Sequence, residues 1–205
     1  MICRSLALVA AACLLFGGCS SAITSETPVQ PPASSHAAGH EASSSQAASV
    51  SWVEQLGVEN ADAVAIIEAM EASDAQRPVD MTASVRYDKL VLADDQGERE
   101  LPIENGKFYL SIAPYQSQTH ECFNHSLSGC QGEQAGKQVH VTITDQAGTK
   151  LVDTDATTHS NGFVGFWLPR DTSGTVEVSL DGRSGTVPFA TDADSPTCLT
   201  TLQLA

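Results

Sequence analysis

The chain has 205 residues, which is enough for one domain of ordinary size or two small ones. It holds 25 acidic residues against 10 basic ones, so the formal net charge is −15, and the acidic residues are spread along the whole chain. This balance argues against nucleic-acid or anionic-membrane partners and favours the accumulation of cations near the surface.

The first 18 residues have the pattern of an export signal. Arg4 supplies a positive charge, residues 6–16 form an apolar run, and two glycines precede Cys19. The apolar run is too short to cross a membrane. Small residues directly before a cysteine resemble the bacterial lipoprotein signal, which predicts that residues 1–18 are removed and that Cys19 is acylated. A plain secretory peptide with Cys19 as a spare thiol is the alternative.

Either form of the signal predicts an exported protein of the cell envelope, in the periplasm or on the outer face of a membrane. Residues 19–50 follow, rich in Ser, Ala, Pro and Thr, with almost no large apolar side chains. Such a segment cannot bury enough surface to offset the entropy of ordering itself, so we expect a disordered tether. His36 and His40 lie within it and are expected to be solvated.

Residues 51–78 change to a helical pattern. Ser51 can cap a short helix over residues 52–56, and Asn60 can cap a second one. The apolar residues that recur at helical spacing in the second helix are Val64, Ile67 and Met70. A short helical hairpin cannot bury its apolar stripe alone. We therefore expect it to pack on the following domain or on a second copy of the chain, as a homodimer.

Residues 79–205 have the pattern of short strands separated by turns. The candidate strands are residues 85–87, 90–92, 107–112, 139–144, 162–168, 175–180 and 184–189. Turn sequences lie at residues 94–97, 104–106 and 145–148, and Asp181-Gly182 is the strongest hairpin signal. The sequence therefore predicts an α+β protein: a short N-terminal helical hairpin followed by a β-sandwich-like antiparallel domain that carries a cysteine loop.

The cysteine loop concentrates potential metal ligands that the rest of the sequence largely lacks. These residues are His120, Cys122, His125 and Cys130. If the signal peptide removes Cys3 and Cys13 and a lipid occupies Cys19, the exported domain keeps the two loop cysteines and Cys198. Three cysteines cannot all pair in disulfides. The odd number favours metal capture or redox exchange, and the alternative is one structural disulfide with one inert cysteine.

The spacing of Cys122 and Cys130 allows several arrangements. Seven residues separate them, unlike the C-x-x-C of structural zinc sites. A helix would place both sulfurs and His125 near one face, and a compact loop would also let the sulfurs meet. Two or three thiolates with a histidine suit Cu(I), which prefers soft ligands at low coordination number. The competing outcome is a Cys122–Cys130 disulfide, whose loop closure would contribute about 2.5 kcal/mol.

Four stretches resemble the CueP family of periplasmic copper-binding proteins. They are residues 107–115, 119–130, 162–170 and 196–203, and the resemblance extends from about Trp52 to the C-terminus. It implies a copper-resistance protein that sequesters copper through Cys122, Cys130 and Cys198. His125 falls on the family histidine and is a candidate fourth or exchanging ligand.

The same resemblance implies several functional connections. Family members are associated with the reduction of Cu(II), with delivery of copper to an exported Cu,Zn superoxide dismutase, and with upkeep of their thiols by a Dsb-type thiol oxidoreductase. From the residues alone, His120 is a further candidate, either as a ligand or as a positive charge that lowers the cysteine pKa values.

Three functions are open from the sequence. The first is a Cu(I)-binding protein for copper resistance and delivery. The second is a thiol-dependent Cu(II) reductase, in which two cysteines leave as a disulfide and the third retains Cu(I). The third is a structural lipoprotein whose cysteines staple the sandwich. No Ser-His-Asp grouping, carboxylate pair or phosphate loop stands out in the sequence, so hydrolase and transferase activities rank low.

Overall fold

The computed structural model describes residues 62–95 and 97–205. Within these residues the elements are, in order, α1 Ala63–Ala72, β1 Thr82–Val85, β2 Lys89–Asp94, β3 Gly97–Pro102, β4 Lys107–Ile112, β5 Gln138–Asp145, β6 Lys150–Thr157, β7 Val164–Pro169, β8 Ser173–Leu180, β9 Arg183–Ala190 and β10 Cys198–Leu199. The predicted α+β class with mostly antiparallel strands is confirmed. The first helix of the predicted hairpin, the tether and the signal peptide lie outside the described residues.

Helix α1 brings one charged side chain into the protein interior. Its N-cap is Asp62 and not the predicted Asn60: Asp62 Oδ1 accepts a hydrogen bond from the backbone N–H of Ala65 at 2.8 Å. The buried face consists of Ala63, Ile66, Ile67, Met70 and Glu71. A carboxylate on this face loses its hydration and therefore needs polar partners inside the protein.

The helix packs on a three-stranded antiparallel sheet of order β1-β2-β3. Strands β2 and β3 pair up to Asp94 and Gly97, at the place where the sequence predicts a turn. Strand β3 was not among the candidate strands. The shared core of the helix and this sheet contains Ala63, Ile66, Ile67, Met70, Ala83, Val85, Leu90, Leu92, Ile103, Tyr109 and Leu127. No helix in the described part of the chain is long and apolar enough to cross a membrane.

Two further sheets enclose the largest core. One has the order β10-β4-β7, in which β10 is parallel to β4, and the other is antiparallel with the order β6-β5-β8-β9. Both sheets contribute to one cluster of buried side chains: Phe108, Leu110, Ile112, Val139, Val141, Ile143, Val164, Leu168, Val176, Val178, Leu180, Phe189, Leu199, Leu202 and Leu204.

The Asp181-Gly182 prediction is confirmed by the backbone of the β8–β9 hairpin. Asp181 has φ 52° and Gly182 has φ 79°, the two positive values that a two-residue turn of this kind requires. The alternation in β5 also agrees with its sequence, because Val139, Val141 and Ile143 are buried while His140 faces solvent.

Residues 113–137 connect β4 to β5 and carry the cysteine segment. They form a compact loop, so the helical alternative for this segment is wrong. The loop lies along the edge of β1, where Ser126 forms an antiparallel bridge with Ser84. The backbone N–H of Val85 donates to the carbonyl of His125 at 2.8 Å. These backbone contacts hold the middle of the loop against the first sheet.

Candidate metal centre

Three sulfur atoms meet beside the cysteine loop. Cys198 is the first residue of β10, and its backbone N–H donates to the carbonyl of Phe123 at 3.2 Å. Cys122 and Cys198 form a disulfide across 76 residues of sequence, with their Cα atoms 5.7 Å apart. Cys130 is a free, buried cysteine whose Sγ lies 3.5 Å from Cys122 Sγ. The disulfide therefore uses Cys198, because β10 places it beside Cys122, and not Cys130 as the sequence spacing suggested.

Two imidazole rings flank the sulfurs. The ring of His125 is fully buried, packs against Phe163 at 4.6 Å between centroids, and has Nδ1 3.7 Å from Cys198 Sγ. His120 meets the same phenyl ring edge-on at 6.1 Å. Two ligand sets result, each with its ligand atoms within 4.8 Å of one another: His120, Cys122 and Cys130 in one, and His125, Cys130 and Cys198 in the other.

All the candidate ligands of the cysteine loop and Cys198 are thus brought together. Cys19, the predicted lipidation site, lies outside the described residues. The role of each side chain as a copper ligand stays a prediction.

A buried carboxylate supports His125, and the sequence reasoning missed it. His125 Nε2 lies 2.9 Å from Glu71 Oε1. The same carboxylate accepts hydrogen bonds from Tyr109 Oη at 3.1 Å, Ser111 Oγ at 3.2 Å and Asn161 Nδ2 at 2.8 Å. The sequence does contain one indication of it. Glu71 follows Ile67 by four residues, so a charged side chain lies in the apolar stripe of helix α1.

These contacts set the charges of the site. Burial alone would raise the pKa of Glu71, but the contacts with His125 and Asn161 outweigh it and hold that pKa well below its usual range. Burial likewise disfavours the charged form of His125, but Cys130 and Glu71 raise its pKa above the ordinary value. The pair is therefore a buried carboxylate–imidazolium ion pair.

The charge on His125 reaches the free cysteine. Burial raises the pKa of the Cys130 thiol, whereas the neighbouring His125 lowers it, and the net shift is downward. A lower pKa increases the thiolate fraction, and the thiolate is the form that binds metals and attacks disulfides. Cys130 is thus the reactive sulfur of the described state, and Cys122, whose sulfur lies 3.5 Å away, belongs to a disulfide.

Backbone contacts hold the ligands in place. The hydroxyl of Thr197 accepts from the backbone N–H of His125 at 2.9 Å and donates to the carbonyl of Val85 at 2.8 Å. The backbone N–H of Cys130 donates to the carbonyl of Ser126 at 2.9 Å. Because both loop ligands are fixed through the main chain, the site is largely preorganised.

A close approach of two glycines positions Asn161 and Phe163. The backbone N–H of Gly132 donates to the carbonyl of Asn161 at 2.6 Å. Gly162 has φ +80°, and a Cβ there would collide with the backbone of Gly132. Glycine at position 162 therefore lets the loop from β6 to β7 deliver an amide to Glu71 and a phenyl ring to His125.

The site opens to solvent on one side. A cleft of about 350 Å³ is lined by Tyr115, Thr119, His120, Glu121, Cys122, Thr200 and Thr201. Of the sulfurs, Cys122 is partly exposed and lines this cleft, whereas Cys130 and Cys198 are buried. Solvent therefore reaches the cluster from the side of His120 and Cys122.

Three sulfurs and two imidazoles, brought together on mostly antiparallel sheets, form a set of ligands of the kind found in proteins that bind soft metal ions. The chain belongs to the CueP family, because residues 65–203 match the family model described as "Periplasmic copper-binding protein CueP". The resemblance inferred from the sequence is thus confirmed, and the family is one of periplasmic copper-binding proteins.

A solved structure agrees with this assignment. The chain is similar to the structure titled "Crystal Structure of S.CueP", with 41% sequence identity and a TM-score of 0.72. The match covers 76% of this chain and 96% of that chain. No curated protein matches the sequence.

Proposed function

We propose that this protein sequesters Cu(I) in the periplasm through the sulfurs of Cys122, Cys130 and Cys198, with His125 as a fourth or exchanging ligand. The observation that supports the proposal is the convergence of three sulfurs and a buried imidazole on one small volume. Copper resistance follows from this chemistry, because an ion held by buried thiolates is withdrawn from the solution around it.

The ligand chemistry favours the monovalent ion. Thiolate sulfur is a soft donor, and Cu(I) accepts two or three such donors, whereas a structural Zn(II) site normally takes four ligands. Reduction of the Cys122–Cys198 disulfide provides two more thiolates beside Cys130. The His125 imidazolium, held by Glu71, lies beside Cys130 and favours the thiolate form of that cysteine.

Cu(I) binding is tested anaerobically with the reduced protein and a chromophoric Cu(I) chelator as competitor. We expect close to one Cu(I) per chain. Serine at position 122, 130 or 198 should weaken binding by about tenfold or more, since loss even of an outer-shell partner typically costs 10–100-fold. Unchanged affinity in all three variants would remove the proposal.

The reduction of Cu(II) is a second candidate function, and the Cys122–Cys198 disulfide beside the Cys130 thiol favours it. In this reaction Cys122 and Cys198 each give one electron, two Cu(II) ions become two Cu(I) ions, and the two sulfurs join as the disulfide. The Cys130 thiolate then retains one Cu(I). An external thiol reductant, in the periplasm a Dsb-type oxidoreductase, must return two electrons to the disulfide before the next cycle.

The reductase function is tested by adding Cu(II) to the reduced protein without oxygen. We expect two Cu(I) ions per chain, measured with the chelator, and the loss of two thiols, with mass mapping that pairs Cys122 with Cys198. If no disulfide forms, the protein binds copper without reducing it. Protein taken from the envelope in which two cysteines are always paired, whether or not copper is present, would instead support the structural lipoprotein.

Location and partners complete the proposal. Removal of residues 1–18 and acylation of Cys19 would anchor the chain, with residues 19–50 as a tether that lets the copper site reach other proteins. The proposed partners are an exported Cu,Zn superoxide dismutase, the Dsb-type oxidoreductase and a second copy of the chain. Metabolic labelling with a fatty acid tests the anchor, because Cys19→Ala should abolish incorporation of the label.

A further inference from the structure

The two ligand sets of the metal centre differ in their access to solvent. His125 and Cys198 have exposed fractions of 0% and 2%. His120 and Cys122 are partly exposed and line the 350 Å³ cleft. Cys130 belongs to both sets. An ion that arrives from solvent therefore meets His120 and Cys122 before it can reach His125 and Cys198.

The imidazole of His120 has a nitrogen without a hydrogen-bond partner in the described part of the chain, at a place where it could bind a metal ion. Its Nε2 atom is buried and has no hydrogen-bond partner among residues 62–95 and 97–205. Burying a polar nitrogen without a partner costs free energy, so such atoms usually have a function. The ring edge is held by Phe163, and one ring nitrogen lies within 4.8 Å of the sulfurs of Cys122 and Cys130.

Within the described residues, His125 Nε2 also lacks a hydrogen bond of good geometry, but both nitrogens of His125, unlike Nε2 of His120, lie against other groups of the site. Nε2 lies 2.9 Å from the buried Glu71 carboxylate, and Nδ1 lies 3.7 Å from Cys198 Sγ. An incoming ion must displace existing contacts to bind this ring. His120 requires no such rearrangement, which makes it the readier nitrogen donor of the two.

We propose that His120, Cys122 and Cys130 form an outer copper position through which Cu(I) enters before it moves to an inner position formed by His125, Cys130 and Cys198. This inference deepens the proposed function and rests on it. Because Cys130 is common to both positions, the ion can exchange Cys122 for Cys198 and His120 for His125 one ligand at a time. It stays bound to one sulfur throughout the transfer.

Two serine variants separate the positions. Cys198→Ser leaves the outer set intact and Cys122→Ser leaves the inner set intact, and both lose the same disulfide, so they are matched controls for one another. His120→Ala is added to each, in the reduced chain that begins at residue 19 and carries Cys19→Ser. Cu(I) affinity is measured anaerobically by competition with bicinchoninate, and circular dichroism checks the fold of every variant.

We expect His120→Ala to weaken Cu(I) binding by about tenfold or more in the Cys198→Ser background, the scale of loss for a disturbed metal site. It should leave binding unchanged in the Cys122→Ser background. Equal effects in the two backgrounds, or none in either, would overturn the outer position. If the protein with all three cysteines binds no Cu(I), the proposed function itself fails, which is a different result.

A kinetic experiment tests entry through the outer position without any cysteine variant. In the reduced protein with all three cysteines, His120→Ala should slow the loading of Cu(I) from its bicinchoninate complex in stopped-flow measurements, by more than it changes the affinity. His140→Ala, a remote exposed histidine, is the control and should load at the original rate. A His120→Ala protein that also loads at the original rate contradicts entry through this position.

Discussion

Two histidines in this protein lie against carboxylates, one inside the fold and one on its surface. His125 contacts Glu71 at 2.9 Å with both side chains buried. His140 contacts Asp155 at 2.8 Å and Asp153 at 3.1 Å on the outer face of the four-stranded sheet, where its side chain is 47% exposed. The chemical groups and distances are nearly the same, so the surroundings make the difference.

Burial converts the first pair into part of a site. Inside the fold, removing one charge leaves the other uncompensated, and the field of the pair reaches Cys130 with little screening. On the surface, water screens the second pair, which contributes little to stability. Only the buried pair is therefore expected to control the chemistry of a neighbouring group.

The largest expected effect is that of Glu71→Gln. The amide keeps the shape and can still accept from Tyr109 and Ser111, but His125 loses its buried counter-charge. We expect the free energy of unfolding to fall by about 3 kcal/mol or more, the usual cost of breaking a buried ion pair. Chemical denaturation measures it. A fall as small as that in a matched Asp155→Asn variant would show that burial does not distinguish the two pairs.

The next effect concerns the Cys130 thiol in a His125→Asn variant. Because His125 lowers the pKa of this thiol, its removal should raise that pKa, so the thiolate forms only at higher pH. A rise of one unit reduces the thiolate fraction at neutral pH by about tenfold. The ultraviolet absorbance of the thiolate is followed against pH in the protein with its disulfide intact. An unchanged titration midpoint would mean that the charge of His125 does not affect the Cys130 thiol.

The smallest effect is expected for His140→Asn. Its pKa is raised by Asp155 and Asp153, but the group is exposed and solvent screens the contacts. We expect no measurable change in Tm at neutral pH, and a Cys130 titration identical to that of the original protein. A clear loss of Tm would mean that the exposed cluster has a structural role comparable to that of the buried pair.

Much of the sheet architecture could be predicted because its strands carry strong local signals. Residues 107–112 and 139–144 lie within strands, and Asp181-Gly182 forms the expected turn. Strands β3 and β6 were missed because their side chains are mostly exposed and polar, so they lack an apolar alternation. Strand β10 has only two residues and exists through its pairing with β4, which a local pattern cannot reveal.

The reactive side chains of the site could be predicted from the sequence, but their pairing and the residues that support them could not. The odd number of cysteines, Cys198 among them, and two nearby histidines indicated soft-metal chemistry, and the resemblance implied that the three cysteines bind copper. The pairing of Cys122 with Cys198 depends on the docking of β10. The supporting residues Glu71 and Asn161 come from a helix and a loop 90 residues apart, and only tertiary contacts join them.

The position of Cys198 has a consequence for how the protein is made. Its sulfur follows Cys122 by 76 residues, after every strand of the four-stranded sheet. Chains are synthesised from the N-terminus, so a growing polypeptide exposes Cys122 and Cys130 before their third companion exists. The set of His125, Cys130 and Cys198 therefore exists only after Cys198 has been made and β10 has docked on β4.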